Sequence, residues 1–100
     1  MVTNYSGDFL DRTGKIHSDF HSKSARKNIP QMLLDLIDAR NSIMTGPALD
    51  ALGHKECRSL ASRAATIYNT ICRKMQYSKH ADEFRACLIR YSLPESLELH

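Results

Sequence analysis

The fold is decided by residues 54–76, whose sequence reads HKECRSLASRAATIYNTICRKMQ. Its apolar side chains fall on one arc of a helix that is roughly 160° wide at about 100° per residue. These apolar residues are Cys57, Leu60, Ala61, Ala64, Ala65, Ile67, Tyr68, Ile71, Cys72 and Met75. Polar residues take the remaining arc, and the chain has no carboxylate between Glu56 and Asp82. The pattern predicts a long helix with one buried face and one face rich in hydroxyls and positive charge.

Three further helical segments are predicted from the spacing of apolar residues and from helix start and stop residues. Asn28 suits an N-cap for the first of them, and Pro94 ends the last. Their predicted bounds are about 29–44, 47–52 and 79–92. Together with residues 54–76, these segments predict an all-α fold, a small antiparallel bundle of three main helices plus a short turn of helix near 47–52.

Residues 1–28 are the least regular part of the sequence, with few large apolar side chains among Ser, Asp, Lys, Arg and Gly. Such a composition does not offset the entropy of ordering a long segment, so we expect an irregular N-terminal arm that is flexible or docked. Residues 94–100 are predicted to form a polar tail. The expected organisation is therefore an arm at 1–28, one helical domain at 29–93 and a C-terminal tail at 94–100.

The size of the chain bears on its assembly. With 100 residues it forms one domain at most, and such a domain buries only about 60 to 65% of its unfolded surface. The wide apolar face of residues 54–76 is therefore expected to need a further helix, and a second copy of the chain would supply it. We expect a homodimer. The net charge of +3 permits an anionic partner without requiring one.

The sequence has no signal for a membrane or for secretion. No run of about 20 apolar residues is present, and three aspartates occupy the first 20 residues where a signal peptide would be apolar. Cys57, Cys72 and Cys87 include no CxxC pair, and each falls on the apolar side of a predicted helix. We therefore expect a cytoplasmic protein with reduced, buried thiols and no membrane contact.

Motifs for catalysis and for metal binding are incomplete in this sequence. His17 with His21, and His54 with Cys57, have the spacing of half a metal site, whereas structural zinc needs four ligands in fixed geometry. No nucleophile elbow, Cys-His signature or paired-carboxylate motif is present. We expect a protein that is not an enzyme and that uses no metal ion or cofactor.

Positive charge supplies the candidate binding residues. The predicted partner-binding residues are Arg40, Arg58, Arg63, Arg73, Lys74 and Lys79, and the predicted contacts of the arm are Lys23, Arg26 and Lys27. Arg40 projects near the centre of the apolar stripe of the first helix, where an unpaired charge would be costly to bury. Its stem can cover apolar surface while the guanidinium reaches water, or the guanidinium can pair with a carboxylate of a partner.

Two functions fit these features. The favoured one is a non-enzymatic helical protein-protein interaction module, a small adaptor, inhibitor or regulator that self-associates and binds an unknown protein partner. The alternative is a nucleic-acid-binding accessory protein whose basic helix face and arm contact phosphates without sequence preference. A solvated helix face that only lacks acids would contain the same residues. Salt separates the two functions, because phosphate binding weakens log-linearly with salt concentration.

Overall fold

The structure, a computed structural model, describes residues 5–22, 25–43 and 45–99, and within these ranges the chain forms five helices and no strand. The helices are α1 (Tyr5–Phe20), α2 (Ala25–Ile43), α3 (Gly46–Leu52), α4 (His54–Gln76) and α5 (Ala81–Arg90). They pack against one another as a bundle, and α4 contacts each of the other four. The prediction of an all-α bundle is confirmed. No helix in the described ranges is both long and apolar enough to cross a membrane.

The helix predicted at residues 54–76 is α4, with the same bounds. Its buried residues are Cys57, Leu60, Ala61, Ala64, Ala65, Ile67, Tyr68, Ile71 and Cys72. Met75, at the end of the stripe, is partly buried against the core, whereas Arg58, Arg63 and Thr66 on the opposite face are exposed. Spacing alone identified this buried face because apolar and polar residues do not mix along the helix.

The expectation of an irregular N-terminal arm is wrong for residues 5–20, which form α1. Phe9, Thr13, Ile16 and Phe20 recur at three- and four-residue steps, and α1 packs this stripe against α2 and α4. The apolar spacing is not evident from the sequence because a polar residue, Thr13, occupies the centre of the stripe. Thr13 is fully buried, and its Oγ1 donates to the Phe9 carbonyl at 3.1 Å. An internal hydrogen bond of this kind lets a hydroxyl take a core position.

With α1, the described chain has four helices of ten or more residues instead of the three main helices predicted. Phe9 and Ile16 join the same core cluster as the buried residues of α2, α4 and α5. The wide apolar face of α4 is therefore covered by helices of its own chain. The sequence-based reason for expecting a second copy, an apolar face left uncovered, no longer applies.

The N-terminal end of α2 differs from the prediction. The helix begins at Ala25 instead of residue 29, so Asn28 lies inside it and is not an N-cap. Pro30 also lies inside the helix, where it removes one backbone amide donor from the second turn. The buried face includes Ile29, Leu33 and other residues of the predicted stripe, which continues to Ile43.

One residue joins α3 to α4. The Gly53 N–H donates to the Leu49 carbonyl at 2.8 Å, and the Gly53 carbonyl accepts the Cys57 N–H at 3.1 Å. Gly53 has φ 85° and ψ 163°, a backbone region that is essentially limited to glycine. The helical turn predicted near 47–52 corresponds to α3, and the carbonyl of its buried Ala48 accepts a hydrogen bond from the Cys57 thiol at 3.5 Å.

The last helix, α5, is shorter than the predicted range 79–92. Residues 78–80 form a turn before it, in which the Ala81 N–H donates to the Ser78 carbonyl at 3.2 Å. Phe84 and Leu88 supply the buried side of α5. Because fewer than three turns of helix provide little apolar surface, α5 packs chiefly on α4.

Candidate interaction surface

The exposed side of α4 carries five Lys and Arg side chains, and we call four of them, Arg58, Arg63, Arg73 and Lys74, the cationic face; the fifth, Lys55, lies in the first turn beside Glu56. From the first arginine to the third, the face extends about 22 Å at roughly 1.5 Å per residue. No ion pair with Arg58, Arg63 or Arg73 exists among residues 5–22, 25–43 and 45–99. These three guanidiniums are therefore exposed, with no carboxylate of a described side chain in contact.

Hydroxyl groups lie between the cations. Thr66 Oγ1 donates to the Ser62 carbonyl at 2.8 Å, and Thr70 Oγ1 donates to the Thr66 carbonyl at 2.8 Å. Both protons are thus used within the helix, and only oxygen lone pairs remain for a ligand. An anion beside these two threonines would take its hydrogen bonds from guanidinium and ammonium groups.

The cations form two rows along α4. At about 100° per residue, Arg58 and Arg73 lie on one side of the polar arc, and Arg63 and Lys74 lie on the other. The second row borders α1, since Lys74 Nζ lies 5.7 Å from the centroid of the Phe20 ring. The two rows give a broad, convex surface instead of a single stripe.

The other predicted basic residues belong to other parts of the sequence. Lys79 is exposed in the turn between α4 and α5. Arg26 and Lys27 belong to the first turn of α2, and Lys23 lies outside the described residues. The side chains of Arg26 and Lys27 also lie outside the described part of the chain, so the contacts predicted for the arm stay a prediction.

The C-terminal strap, residues 93–98, follows α5 and lies against the side of α4 that carries Tyr68 and Asn69. The opposite side of the cationic face borders α1. It has no regular secondary structure, yet side chains of α4 and α2 bind its backbone. Tyr68 Oη donates to the Pro94 carbonyl at 2.6 Å. Asn69 Nδ2 donates to the Leu97 carbonyl at 2.9 Å, and Asn69 Oδ1 accepts the Leu97 N–H at 2.7 Å. The strap is thus a bound segment and not a free tail.

Arg40 takes part in the same arrangement. It is half-buried, and its Nη2 donates to the Glu98 carbonyl at 2.8 Å. The arginine that the sequence placed within an apolar stripe therefore has an acceptor inside the chain. The side chain is half-buried while its guanidinium reaches the end of the strap, which fits the snorkelling expected from sequence and adds a hydrogen-bonded partner.

The end of α5 directs the chain into the strap. The Leu93 N–H donates to the Leu88 carbonyl at 2.8 Å, and the Ser92 N–H donates to the Ile89 carbonyl at 3.2 Å. Ser92 has φ 54°, so these bonds form a Schellman motif with a left-handed residue at its centre. Pro94 then prevents continuation of the helix. Leu93 is buried and fixes the start of the strap to the core.

Burial keeps the groups beneath the strap protonated. Loss of solvent raises the pKa of the Tyr68 hydroxyl, which donates to the strap, well above its usual value. Burial, and secondly the charge of Glu95, raise the pKa of the Cys72 thiol to about 12. The pKa values of Cys57 and Cys87 are also raised by burial. All three thiols are free, and none has the lowered pKa of a nucleophilic cysteine.

A shallow groove of about 220 Å³ lies between α2 and α5. Ile29, Pro30, Met75, Phe84 and Cys87 provide its apolar lining, and polar groups of α5 and the preceding turn border it. The groove exists because α5 packs chiefly on α4 and leaves α2 partly uncovered.

The predicted half-sites for metal do not gain further ligands in the described part of the chain. The rings of His17 and His21 contact each other, with centroids 5.0 Å apart in an edge arrangement. No group of three His, Cys, Asp or Glu side chains suitable for a metal ion occurs among the residues that the structure describes.

Sequence analysis missed the residues that hold the strap, Tyr68 and Asn69. Tyr68 was assigned to the core by its spacing, which is correct for its ring but says nothing about its hydroxyl. Two signals were present: an asparagine in the middle of a helix, and two leucines four residues apart, Leu93 just before the predicted tail and Leu97 within it. No protein family, curated protein or solved structure matches this chain in the comparisons of sequence and fold.

Proposed function

We propose that the chain is a non-enzymatic helical protein-protein interaction module that binds an acidic partner through the cationic face of α4. The observation that supports this function is the exposure of Arg58, Arg63 and Arg73 on a helix that has no carboxylate after Glu56, without an ion pair to any described residue. Guanidinium groups bind carboxylates through two parallel hydrogen bonds, and arginine is enriched at protein interfaces.

Three features favour a protein partner over nucleic acid. Three of the four cations are arginines, whereas lysine is depleted at protein interfaces. The cations lie in two separated rows on a convex helix, which suits separate carboxylates better than one continuous phosphate backbone. The net charge of the chain is only +3, and nucleic-acid interfaces are much more positive than protein interfaces.

Self-association is a separate part of the proposal and has a separate test. Because α1 covers the apolar side of α4, a dimer would have to use another surface, such as the groove between α2 and α5. Light scattering over a concentration series measures this directly. A constant monomer mass would contradict self-association. It would leave the proposal of binding through the cationic face unchanged.

The binding test compares two variants of equal net charge. Arg63→Glu/Arg73→Glu reverses charge on the cationic face, and Lys15→Glu/Arg90→Glu reverses the same number of exposed charges elsewhere. Binding of labelled poly-L-glutamate is measured by fluorescence anisotropy. We expect about a tenfold loss of affinity for the first variant and little change for the second, since each exposed pair contributes about 0.2–1 kcal/mol.

A labelled oligonucleotide in the same assay tests the alternative function, a nucleic-acid-binding accessory protein. This alternative is supported by the same exposed cations of α4, which have no ion pair with a described residue. Binding of the oligonucleotide with a salt slope of about −0.9 per neutralised phosphate would favour it. If the two charge-reversal variants bind poly-L-glutamate equally, the cationic face is not the binding surface and the proposed function fails.

A further inference from the structure

We infer that the surface beneath the strap is a peptide-binding site for an extended acidic segment with two leucines four residues apart, and that residues 93–98 occupy this site within the chain. The inference rests on the proposed function, because it names the partner chemistry for a site at one edge of the cationic face. When residues 93–98 leave the site, it would bind an extended segment of a partner protein.

The polar contacts with the strap recognise backbone and not side chains. Tyr68 binds the Pro94 carbonyl, Asn69 binds both backbone groups of Leu97, and Arg40 binds a carbonyl one residue further. Asn69 contacts Leu97 as a neighbouring strand would, with one donor and one acceptor exchanged. Backbone groups are common to all peptides, so these contacts fit any extended segment that reaches the same place.

The apolar contacts set the spacing that a ligand requires. Leu93 is buried, and Leu97 packs against the core, whereas Glu95 and Ser96 between them are exposed. In an extended chain the two leucines lie about 13 Å apart. The site therefore selects a pair of large apolar side chains at this distance and accepts varied residues between them.

Charge favours an acidic ligand. The strap carries Glu95 and Glu98, both exposed, and it crosses a helix that has no carboxylate after Glu56. Arg73 lies one helical turn beyond Asn69 on the same side of α4. A segment that places carboxylates near this arginine gains attraction to the cationic face, whereas a basic segment of the same shape would be repelled.

Attachment of the strap to the chain controls access to the site. A tethered segment competes with an external peptide at an effective concentration on the order of millimolar. The strap lacks regular secondary structure and is held by few backbone hydrogen bonds, so it can open without unfolding the helices. An external ligand binds strongly only when the strap is released.

The test uses the full chain and a fluorescent peptide, Ser-Leu-Pro-Glu-Ser-Leu-Glu-Leu, which copies residues 92–99. Leu97→Ser weakens the internal strap, and we expect this variant to bind the peptide at least about tenfold more tightly than the wild-type chain. Adding Asn69→Ala to Leu97→Ser is expected to reverse the gain. Adding Asn41→Ala, an exposed asparagine of α2, is the matched control and leaves the gain intact.

Wild-type chain labelled with ¹⁵N gives a second measurement that does not depend on the stability of a variant. With millimolar unlabelled peptide, the Leu97 amide signal is expected to move to an unstructured position while the side-chain amide signals of Asn69 shift. No change in either signal overturns the inference. Peptide binding that survives Asn69→Ala overturns it too, as does a dimer formed by exchange of straps between two copies in the assay.

The two proposals fail in different ways. Binding of the peptide without binding of poly-L-glutamate supports the strap site and contradicts the broader cationic face. Binding of poly-L-glutamate that depends on Arg63 and Arg73, without binding of the peptide to Leu97→Ser, leaves the proposed function in place and removes the strap site. A peptide in which the leucines that copy Leu93 and Leu97 are replaced by serine provides the control for charge alone.

Discussion

The N-terminal helix and the C-terminal strap both cover the central helices, but they are held by opposite means. α1 buries its own side chains, with Phe9 and Ile16 in the core. The strap contributes backbone atoms, which are bound by side chains that project from α4 and α2. The position of α1 is fixed by its own side chains, whereas the position of the strap is fixed by side chains of the surface on which it lies.

This difference affects how each region responds to change. Removing an apolar side chain from α1 leaves a cavity in the core and lowers the stability of the whole fold. Removing a hydrogen-bonding side chain from α4 releases a short segment whose side chains are mostly exposed. We therefore expect α1 to unfold together with the core and the strap to open locally.

The largest effect is expected for Phe9→Ala. Phe9 is only 2% exposed, and truncation of a buried phenylalanine lowers the free energy of unfolding by about 3–5 kcal/mol. Chemical denaturation followed by circular dichroism measures this loss. Phe20→Ala, at the half-buried end of the same stripe, is the matched control and is expected to cost less. Equal and small losses for both variants would show that α1 is not docked through its apolar stripe.

A smaller effect is expected for Asn69→Ala. The change removes two hydrogen bonds to Leu97, each with a net contribution of about 0.5–1.5 kcal/mol, so local opening of the strap is expected to become easier by about 1–3 kcal/mol. Hydrogen exchange separates this local effect from a global one. The Leu97 amide is expected to lose its protection while amides in the middle of α4 keep theirs. Loss of protection throughout α4 would contradict a locally bound strap.

The smallest effect is expected for Gly14→Ala, and it has the opposite sign. Gly14 is exposed inside α1, and an added methyl group would meet no atom within 4 Å. Replacing a glycine in a helix interior by alanine stabilises the helix by about 0.5–1 kcal/mol, so the midpoint of denaturation is expected to rise. A fall in the midpoint would show that Gly14 is not helical in solution and that the arm expected from sequence is closer to the truth.

Sequence predicts the fold wherever buried residues are apolar and evenly spaced. For α4 the bounds and every buried residue follow from the spacing of apolar side chains. In α1 the same spacing is present, but Thr13 and Gly14 interrupt it with residues that do not mark a buried helix. Thr13 reaches the core only because a backbone carbonyl of its own helix accepts its proton, and composition does not contain that information.

The candidate site was predictable only in part. The exposure of Arg58, Arg63 and Arg73 follows from the side of α4 on which they lie, as predicted. The acceptor of Arg40 and the pairing of Asn69 with Leu97 depend on where a segment far along the chain returns to the core. Contacts between residues so far apart in sequence leave no periodic pattern, so local spacing does not reveal them.

Gly53 has a consequence for the tolerance of the chain to substitution. Gly53 is the only residue between α3 and α4, so no neighbouring loop residue can compensate for a change in its torsion angles. A side chain at this position would be strained because φ 85° favours glycine, and relief of that strain is expected to shift α3 together with its buried Ala48. The orientation of α3 relative to α4 is therefore expected to depend on a glycine at position 53.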